Sequence, residues 1–225
     1  MPTADQSTGQ ADPDWAAFAA LDRMKNHWDR PGWRPGRRAY YWYLSFRDQH
    51  DVQALAEQCQ SAIDAPYFDL VAPRDLHMTI ERIAYADEID ISDRLQVAED
   101  VKAALHGFNE LRFQIGPLAG SSGALSFSAS PRTCLLEMRS RVLTAMHRTG
   151  LATASSGTDS FRPHVGISYC NRPVEAHPII ERVRALRALP PVDVCISELT
   201  LVTLTRHDRA YSWEVADRVP LAARD

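Results

Sequence analysis

One short pattern occurs twice in this chain, and the repeat constrains the fold more than any other feature. The copies are residues 76–83, LHMTIERI, and residues 161–169, FRPHVGISY. In each, a histidine begins a run of alternating apolar and polar residues, which is typical of a half-buried β-strand. Side chains two residues apart share one face of a strand. Thr79 and Glu81 are therefore predicted to flank His77, and Gly166 and Ser168 to flank His164.

The predicted elements around each copy follow a similar order of strand, helix, histidine strand and helix. The two histidines are 87 residues apart in the sequence, a plausible length for one such lobe. Two lobes packed face to face would bring one histidine from each to a shared cleft, where ligand sites usually lie. Hydrophobic periodicity predicts helices over 13–28, 51–64, 92–106, 131–150 and 174–189, and further strands over 39–46, 67–71, 111–118, 124–129, 192–205 and 211–215.

The N-terminal segment, residues 1–37, comprises a tail, a helix and a basic loop. Residues 1–11 are polar and predicted to be disordered, whereas Asp12 is placed to cap the first helix. The loop over residues 29–38 carries four arginines and Trp33, between two Pro-Gly pairs. Arginines interleaved with aromatic residues can hold phosphates and stack bases. The preferred interpretation is a linker whose tryptophan pins the helix to the body of the protein.

The composition indicates a globular protein with a restricted set of partners. A net charge of −4 argues against a broad basic surface for duplex nucleic acid, but a local patch suffices for a small anion or a single-strand end. The four scattered cysteines indicate free thiols in a reducing compartment rather than disulfides or a zinc site. No apolar run reaches the length of a membrane span, and the polar N-terminus does not resemble a secretory signal. We therefore expect a cytoplasmic protein with no membrane partner.

Two histidines that meet in one cleft suit the opening of a cyclic phosphodiester. The unperturbed pKa of histidine is about 6.5, so one imidazole can accept a proton from water while the other donates one to the departing ribose oxygen. The hydroxyls of Thr79 and Ser168 and the backbone N–H of Gly166 would bind the phosphate oxygens. This chemistry requires no metal.

Alternative interpretations apply to the same residues. A metal site formed by His77, His164 and Glu81 is conceivable, but no H-x-D or H-E-x-x-H pattern supports it. Thr79 and Ser168 are also ordinary strand residues. The other histidines lie on predicted helices or loops without a repeated context, and are interpreted as structural: His27, His50, His106, His147, His177 and His207.

The two motifs, H-M-T-I at residues 77–80 and H-V-G-I-S at residues 164–168, resemble the two signatures of the 2H phosphoesterase superfamily. The most similar branch is the 2′-5′ RNA ligase family, which includes the RNA 2′,3′-cyclic phosphodiesterases. The resemblance covers roughly residues 38–217. It implies a single bilobal α+β domain of antiparallel sheets with helices outside, pseudo-twofold lobes at roughly 38–110 and 111–217, and a C-terminal tail at 218–225.

The resemblance also implies an activity. His77 and His164 would be the acid–base pair, with Thr79 binding phosphate. The reaction would be hydrolysis of a 2′,3′-cyclic phosphate on an RNA 3′ end or a nucleotide, usually to a 2′-phosphate. Some members also join or cleave 2′-5′ RNA linkages reversibly. No cofactor is implied, and a monomer is expected.

The second motif departs from the family pattern at Gly166, where a threonine or serine normally stands. Ser168 shares the predicted face but lies about 6.6 Å further along the strand. Some relatives use a tyrosine five residues after the second histidine, which matches Tyr169, although strict alternation would turn it away from the cleft. A catalytically weak RNA-end or nucleotide-binding module on the same scaffold is therefore the alternative function.

Arg162 and the aromatic residues of strand 39–46 have open roles. Arg162 is predicted to share a face with His164, where it would steer a phosphate or form a salt bridge at the strand entrance. Of the aromatic residues on strand 39–46, either Tyr41 and Tyr43 or Tyr40 and Trp42 would line the cleft.

Overall fold

The computed structural model describes residues 12–150 and 161–223. The predicted disordered tail over residues 1–11 and the predicted polar loop over 153–160 lie outside the described residues. Within the described part of the chain, no helix is both long and apolar enough to cross a membrane.

Five α-helices and a 3₁₀ turn are found in the described residues. The 3₁₀ turn, Pro73–Asp75, immediately precedes the first histidine strand. The helices are α1 (Pro13–Ala19), α2 (His50–Ala62), α3 (Ile91–Ala104), α4 (Thr133–Arg148) and α5 (His177–Leu186).

The strands form three antiparallel sheets, of which two are large. The strands are β1 (Arg23–Met24), β2 (Arg38–Ser45), β3 (Phe68–Leu70), β4 (His77–Tyr85), β5 (Leu111–Gly120), β6 (Ala124–Ser130), β7 (His164–Cys170), β8 (Val174–Glu175), β9 (Val192–Ile196), β10 (Glu198–Arg206) and β11 (Tyr211–Pro220). One large sheet has the order β11-β10-β2-β4, the other β3-β7-β6-β5-β9, and β1 pairs with β8. This arrangement confirms the predicted α+β class.

The two sheets exchange strands between the predicted lobes. Strands β10 and β11 follow the second histidine strand in the sequence, yet they extend the sheet that contains the first. Strand β3 comes from the first half and pairs with β7 of the second half. The sheets therefore do not follow the predicted boundary between 38–110 and 111–217, and β11 runs into the predicted C-terminal tail.

The first helix is much shorter than predicted. The carboxylate of Asp12 accepts hydrogen bonds from the backbone N–H groups of Asp14 and Trp15, and Pro13 occupies the first turn, as predicted. The helix ends at Ala19 rather than at residue 28, because the chain then pairs as β1 with β8. Helical spacing in the sequence is overridden there by a strand pairing between residues about 150 positions apart.

Three other boundaries differ from the sequence prediction. The predicted helix 174–189 begins at His177, because Val174 and Glu175 form β8. The predicted strand 192–205 is two strands interrupted at Ser197, and the second of them changes sheet. The last strand, predicted over 211–215, continues to Pro220, and the remaining helices and strands lie within about three residues of their predicted ends.

Candidate active site

The two repeated histidines line one cleft between the large sheets. His77 begins β4 and His164 begins β7, and the two strands lie against each other where the sheets meet. The cleft has a cavity volume of about 140 Å³, and its wall includes His77, Thr79, His164, Gly166 and Tyr169. That volume exceeds the roughly 30 Å³ that one water occupies in the liquid, so a phosphate group with some hydration has room.

Both imidazoles are oriented by the same local hydrogen bond. The Nδ1 of His77 lies 2.8 Å from the carbonyl oxygen of Asp75, and the Nδ1 of His164 lies 2.7 Å from the carbonyl oxygen of Arg162. A carbonyl only accepts, so each Nδ1 must carry the hydrogen. In the neutral ring the lone pair is then on Nε2, which leaves Nε2 as the nitrogen that exchanges a proton. The same hydrogen bond therefore holds the two rings in the same tautomer.

A β-bulge in each histidine strand determines which later residues face the cleft. In β4, Thr79 pairs with Tyr43 and Glu81 with Trp42, so Ile80 is the extra residue. In β7, Gly166 pairs with Ser126 and Ser168 with Leu125, so Ile167 is the extra residue. Each bulge lies three residues after its histidine. An extra residue reverses the alternation beyond it, so the fifth residue after each histidine faces the cleft side instead of the fourth.

A buried amide of α2 supports the second bulge. Gln60 Nε2 donates to the carbonyl oxygens of Ile167 and Val71, at 2.8 and 2.7 Å. Val71 itself donates its backbone N–H to Ile167. The buried carbonyl oxygens next to the bulge are thereby hydrogen-bonded, and Gln60 links β7 to the segment after β3.

The bulge brings the Tyr169 hydroxyl to the position where the second motif lacks one. A Cβ added to Gly166 would lie 3.8 Å from the Tyr169 hydroxyl oxygen, an ordinary van der Waals contact. Burial raises the pKa of Tyr169 well above its usual value, so the phenol stays protonated as a donor. On the other side of the cleft, Thr79 supplies its own hydroxyl.

The His77 ring is packed between aromatic side chains. Tyr43 stacks on it, with ring centroids 4.1 Å apart and planes 14° from parallel, and Trp213 approaches edge-on at 6.5 Å. Burial lowers the pKa of His77 to about 4, and the charge of His164 acts in the same direction. His77 is therefore neutral at pH 7 in the empty site, with the Nε2 lone pair available. His164 is solvent-exposed.

Positive charge surrounds the cleft although the whole chain is acidic. Arg30 lines the cleft, and Arg206 is buried behind it, where it donates to the Trp28 carbonyl oxygen at 2.6 Å. Among the described residues, neither guanidinium has a carboxylate oxygen within 4.0 Å. Unpaired cations at a partly enclosed cleft favour an anionic ligand.

Residues 47–208 match the family model described as the 2′-5′ RNA ligase superfamily. The chain belongs to this superfamily. The match spans more than half of the sequence and includes both histidine motifs, which confirms membership of the 2H phosphoesterases as the motifs predicted. No curated protein sequence matches the chain.

Solved structures share the fold at low sequence identity. The crystal structure of Escherichia coli LigT complexed with 3′-AMP has a TM-score of 0.63 and 12% identity, over 82% of this chain and 98% of LigT. A phosphoesterase structure has a TM-score of 0.61 and 12% identity, over 84% and 99%. TT0787 of Thermus thermophilus has a TM-score of 0.58 and 16% identity, over 84% and 100%. At such identities the likeness establishes the fold alone.

Within this family framework, five of the seven predicted site residues line the cleft and two do not. The prediction for Ser168 is corrected: its side chain is fully buried, because the bulge at Ile167 turns it towards the core. Arg162 is exposed and does not border the cleft, and its Nε lies 3.6 Å from Asp14 Oδ1. The salt-bridge alternative therefore describes Arg162.

The alternative metal triad is not assembled, because Glu81 faces away from the histidines. The bulge at Ile80 turns Glu81 inward, where its Oε2 accepts hydrogen bonds from Arg139 Nε and Nη2 at 3.1 and 2.7 Å. In residues 12–150 and 161–223, no three His, Cys, Asp or Glu side chains come together as potential metal ligands.

His27 is a cleft residue that sequence reasoning assigned to structure alone. Its ring stacks on Tyr169 with centroids 4.0 Å apart, and its Nε2 lies 3.3 Å from the Tyr211 hydroxyl oxygen. Burial lowers the pKa of His27 to about 3, assisted by the charges of Arg30 and Arg206. A neutral ring thus supports the face of Tyr169. No repeated motif surrounds His27, so the sequence carries no signal for this role.

The basic loop and the tryptophan before it lie in different places. The pin is Trp28, just before the loop, whose Nε1 donates to Asp69 Oδ2 at 2.8 Å. Arg30 and Trp33, by contrast, line the cleft. For the aromatic residues of β2, the structure selects Tyr41 and Tyr43 as lining residues, whereas Trp42 is fully buried on the opposite face.

Proposed function

We propose that this protein is a phosphodiesterase that opens 2′,3′-cyclic phosphates of RNA ends or nucleotides by general acid–base catalysis. The observation that carries the proposal is the matched pair of imidazoles. Each is held through Nδ1 by a carbonyl two residues earlier and each lines the same cleft. The proposed reaction needs one proton acceptor and one donor at a single phosphorus, without a resident metal.

His77 is the proposed general base. It takes a proton from water through Nε2 while the water oxygen forms a bond to phosphorus. The bond from phosphorus to one ribose oxygen breaks, and His164 donates a proton from its Nε2 to that oxygen. The product is a phosphomonoester, and both histidines return to their starting states by proton exchange with solvent. A bound phosphodiester anion raises the pKa of His77 above its value in the empty site, which makes it a stronger base.

The non-bridging phosphate oxygens would be bound by hydroxyl donors from the two strands. One donor is the Thr79 hydroxyl and the other is the Tyr169 hydroxyl. Gly166 has no side chain, which leaves space for the phosphate between them. Donors fixed by a folded scaffold stabilise the charge that develops in the transition state without reorganising. Gln60 acts as a positioning residue, since it holds the bulge that turns Tyr169 into the cleft.

Related proteins support an anionic, nucleotide-like ligand. Escherichia coli LigT has been crystallised with 3′-AMP, NADP⁺, ATP and phosphate. The excess of unpaired positive charge around the present cleft is consistent with ligands of that kind. Reversible action on 2′-5′ RNA linkages would use the same two histidines in the opposite direction.

The test is turnover of nucleoside 2′,3′-cyclic phosphates by His77→Ala and His164→Ala variants, with EDTA present throughout. Each substitution is expected to lower kcat by at least about 100-fold, the usual contribution of one general acid or base. His106→Ala is the matched control, because that histidine is exposed at the end of α3. Circular dichroism and thermal unfolding establish that the variants fold.

Two results would refute the proposal. Near-wild-type turnover in either variant would exclude the acid–base assignment, and loss of wild-type turnover in EDTA would exclude a metal-independent reaction. If the wild type binds a cyclic-phosphate dinucleotide but forms no product, the alternative of an RNA-end or nucleotide-binding module replaces the enzyme.

A further inference from the structure

A second cavity adjoins the cleft and is not used by the proposed chemistry. Its volume is about 380 Å³, and it shares Arg30, Trp33 and Tyr41 with the cleft, so the two spaces adjoin at these side chains. Its other lining residues are Pro31, Glu81, Arg82 and Tyr85. A ligand whose reacting phosphate lies between the histidines can therefore extend into this cavity.

The cavity carries positive charge that is not paired with a carboxylate, although the Arg82 guanidinium lies over the Tyr85 ring at 4.8 Å. Among the described residues, no carboxylate oxygen lies within 4.0 Å of the Arg30 or Arg82 guanidinium. The bordering carboxylate, Glu81, is already bound by Arg139. Two guanidinium groups without counterions at the rim of a cavity favour a phosphate.

The other loop arginines serve a different purpose. Arg37 donates to Asp87 Oδ1 at 3.0 Å and to Glu88 Oε1 at 2.8 Å, and its guanidinium lies over the Tyr85 ring at 3.3 Å. Arg34 lies 3.9 Å from Asp87 and is mostly exposed. Arg30 is thus distinguished from Arg34 and Arg37 by facing the cavity with its charge unpaired.

The aromatic residues provide surfaces on which a base can stack. Trp33 is only partly buried, and its ring is nearly parallel to that of Tyr41, with planes 15° apart and centroids separated by 6.5 Å. Tyr85 contacts Trp33 edge-on at 5.1 Å and holds its orientation. Aromatic platforms beside arginines are the usual means by which proteins bind single-stranded nucleic acid.

The loop that carries Arg30 and Trp33 is fixed in place before any ligand binds. Gly36 donates its backbone N–H to the Arg206 carbonyl oxygen at 2.7 Å, and Arg206 donates back to the Arg37 carbonyl oxygen at 3.1 Å. Gly32 adopts a φ of 82°, which favours glycine. A preorganised loop lowers the entropy lost on binding. Arg30 and Trp33 precede position 47, where the match to the family model begins. The wall of the cavity that they form therefore lies outside the matched region.

We propose that this cavity binds the nucleotide that precedes the cyclic phosphate in an RNA chain. The phosphate linking the two nucleotides lies between Arg30 and Arg82, and the preceding base stacks on Trp33. Arg82 is three strand residues beyond Thr79, at most about 10 Å along β4, so the second phosphate extends away from the reacting one. The inference rests on the proposed function, and it makes an RNA end the preferred substrate over a mononucleotide.

The test compares adenosine 2′,3′-cyclic phosphate with an adenosine dinucleotide that ends in the same group. We expect kcat/KM of the wild type to be about tenfold higher for the dinucleotide, since stacking of one base is worth about one order of magnitude or more. Trp33→Ala and Arg82→Ala are expected to bring this ratio towards one, whereas Trp33→Phe keeps most of it. Arg34→Ala, the matched control, keeps the wild-type ratio.

A neutral linkage separates the charge effect from stacking. Replacing the linking phosphate by a methylphosphonate should lower kcat/KM of the wild type more than that of Arg82→Ala, in which only Arg30 still faces the phosphate. A wild-type ratio near one, or an unchanged ratio in both Trp33→Ala and Arg82→Ala, would overturn the inference.

The same comparison can be made without turnover. Calorimetry measures the affinity of the wild type and both variants for adenosine 3′-monophosphate and for the dinucleotide ending in a 3′-phosphate. If neither cyclic phosphate is hydrolysed, the proposed function fails. Calorimetry then still shows whether the cavity binds the preceding nucleotide. Tighter binding of the dinucleotide that depends on Trp33 and Arg82 supports the inference, and equal affinities refute it.

Discussion

The hydroxyl of Tyr169 is expected to replace the threonine or serine that the second motif lacks. Removing it by Tyr169→Phe keeps the ring that stacks on His27 but deletes the donor. A hydrogen bond to a charged group is worth about 1.5–3 kcal/mol, and 1.36 kcal/mol corresponds to tenfold in rate. We therefore expect kcat/KM for a cyclic phosphate to fall by about 10- to 150-fold.

A second substitution tests whether position matters rather than the tyrosine itself. The position of a Cβ on residue 166 is 3.8 Å from the Tyr169 hydroxyl oxygen and 3.9 Å from Cε1 of the ring, so a threonine begins without a clash. Gly166→Thr in the Tyr169→Phe background should restore at least about tenfold of the lost activity. The combination isolates one donor at one place in the cleft.

The assay is the release of phosphomonoester from a nucleoside 2′,3′-cyclic phosphate at saturating and limiting substrate. Tyr40→Phe is the matched control, because Tyr40 packs on the opposite face of β2, beside Arg94. Activity of Tyr169→Phe within about twofold of the wild type would refute the reasoning. A double variant no more active than Tyr169→Phe would show that the hydroxyl acts from elsewhere.

Two further predictions concern stability. The pKa values of His27 and His77 are lowered by burial to about 3 and about 4, below the unfolded value near 6.5, so the unfolded state binds protons first as pH falls. The free energy of unfolding, measured by urea denaturation, should therefore be at its full value above about pH 6.5 and lower by about 2 kcal/mol per histidine at pH 5. A free energy of unfolding that does not change with pH would contradict this prediction. Arg139→Met should destabilise the fold by about 3–5 kcal/mol, because it leaves Glu81 buried without its partner, whereas Arg141→Met in the exposed pair on α4 should change stability by less than about 0.5 kcal/mol.

Local sequence patterns predicted the framework of the site because the framework is made locally. Each histidine begins its strand, and its ring is oriented by a carbonyl two residues earlier. The repeated pattern around His77 and His164 was enough to place both rings in one cleft. Thr79 and Gly166 followed from the two-residue period of the strand.

The two-residue period of a strand gave wrong orientations for the residues that follow the third position after each histidine. A bulge lies at that position, and a bulge depends on the partner strand. Strict alternation placed Glu81 and Ser168 in the cleft, but both are buried because Ile80 and Ile167 have no counterpart on the neighbouring strand. An isoleucine at the same offset in both motifs is the only trace of this in the sequence. Tyr169 is exposed to the cleft for the same reason.

Contacts between distant segments were beyond the reach of local patterns. The first helix stops at Ala19 because β1 pairs with β8, and Arg206, near the end of β10, fixes the loop that carries Arg30 and Trp33. No local sequence pattern in either partner segment predicts these contacts. The preferred interpretation of the loop as a linker therefore missed that Arg30 and Trp33 line the cleft.

The equivalent bulges explain how a repeated scaffold produces an asymmetric site. Two and five residues after its histidine, the first strand presents Thr79 and Arg82, and the second presents Gly166 and Tyr169. The hydroxyl is supplied directly on the first strand and from the longer tyrosine on the second. In the proposed complex Tyr169 fills that role, so the fifth position of the first strand is free to carry a charge towards the adjoining cavity. We infer that a substrate with one reacting phosphate and a second phosphate then binds in one direction, which determines which imidazole meets water and which meets the departing oxygen.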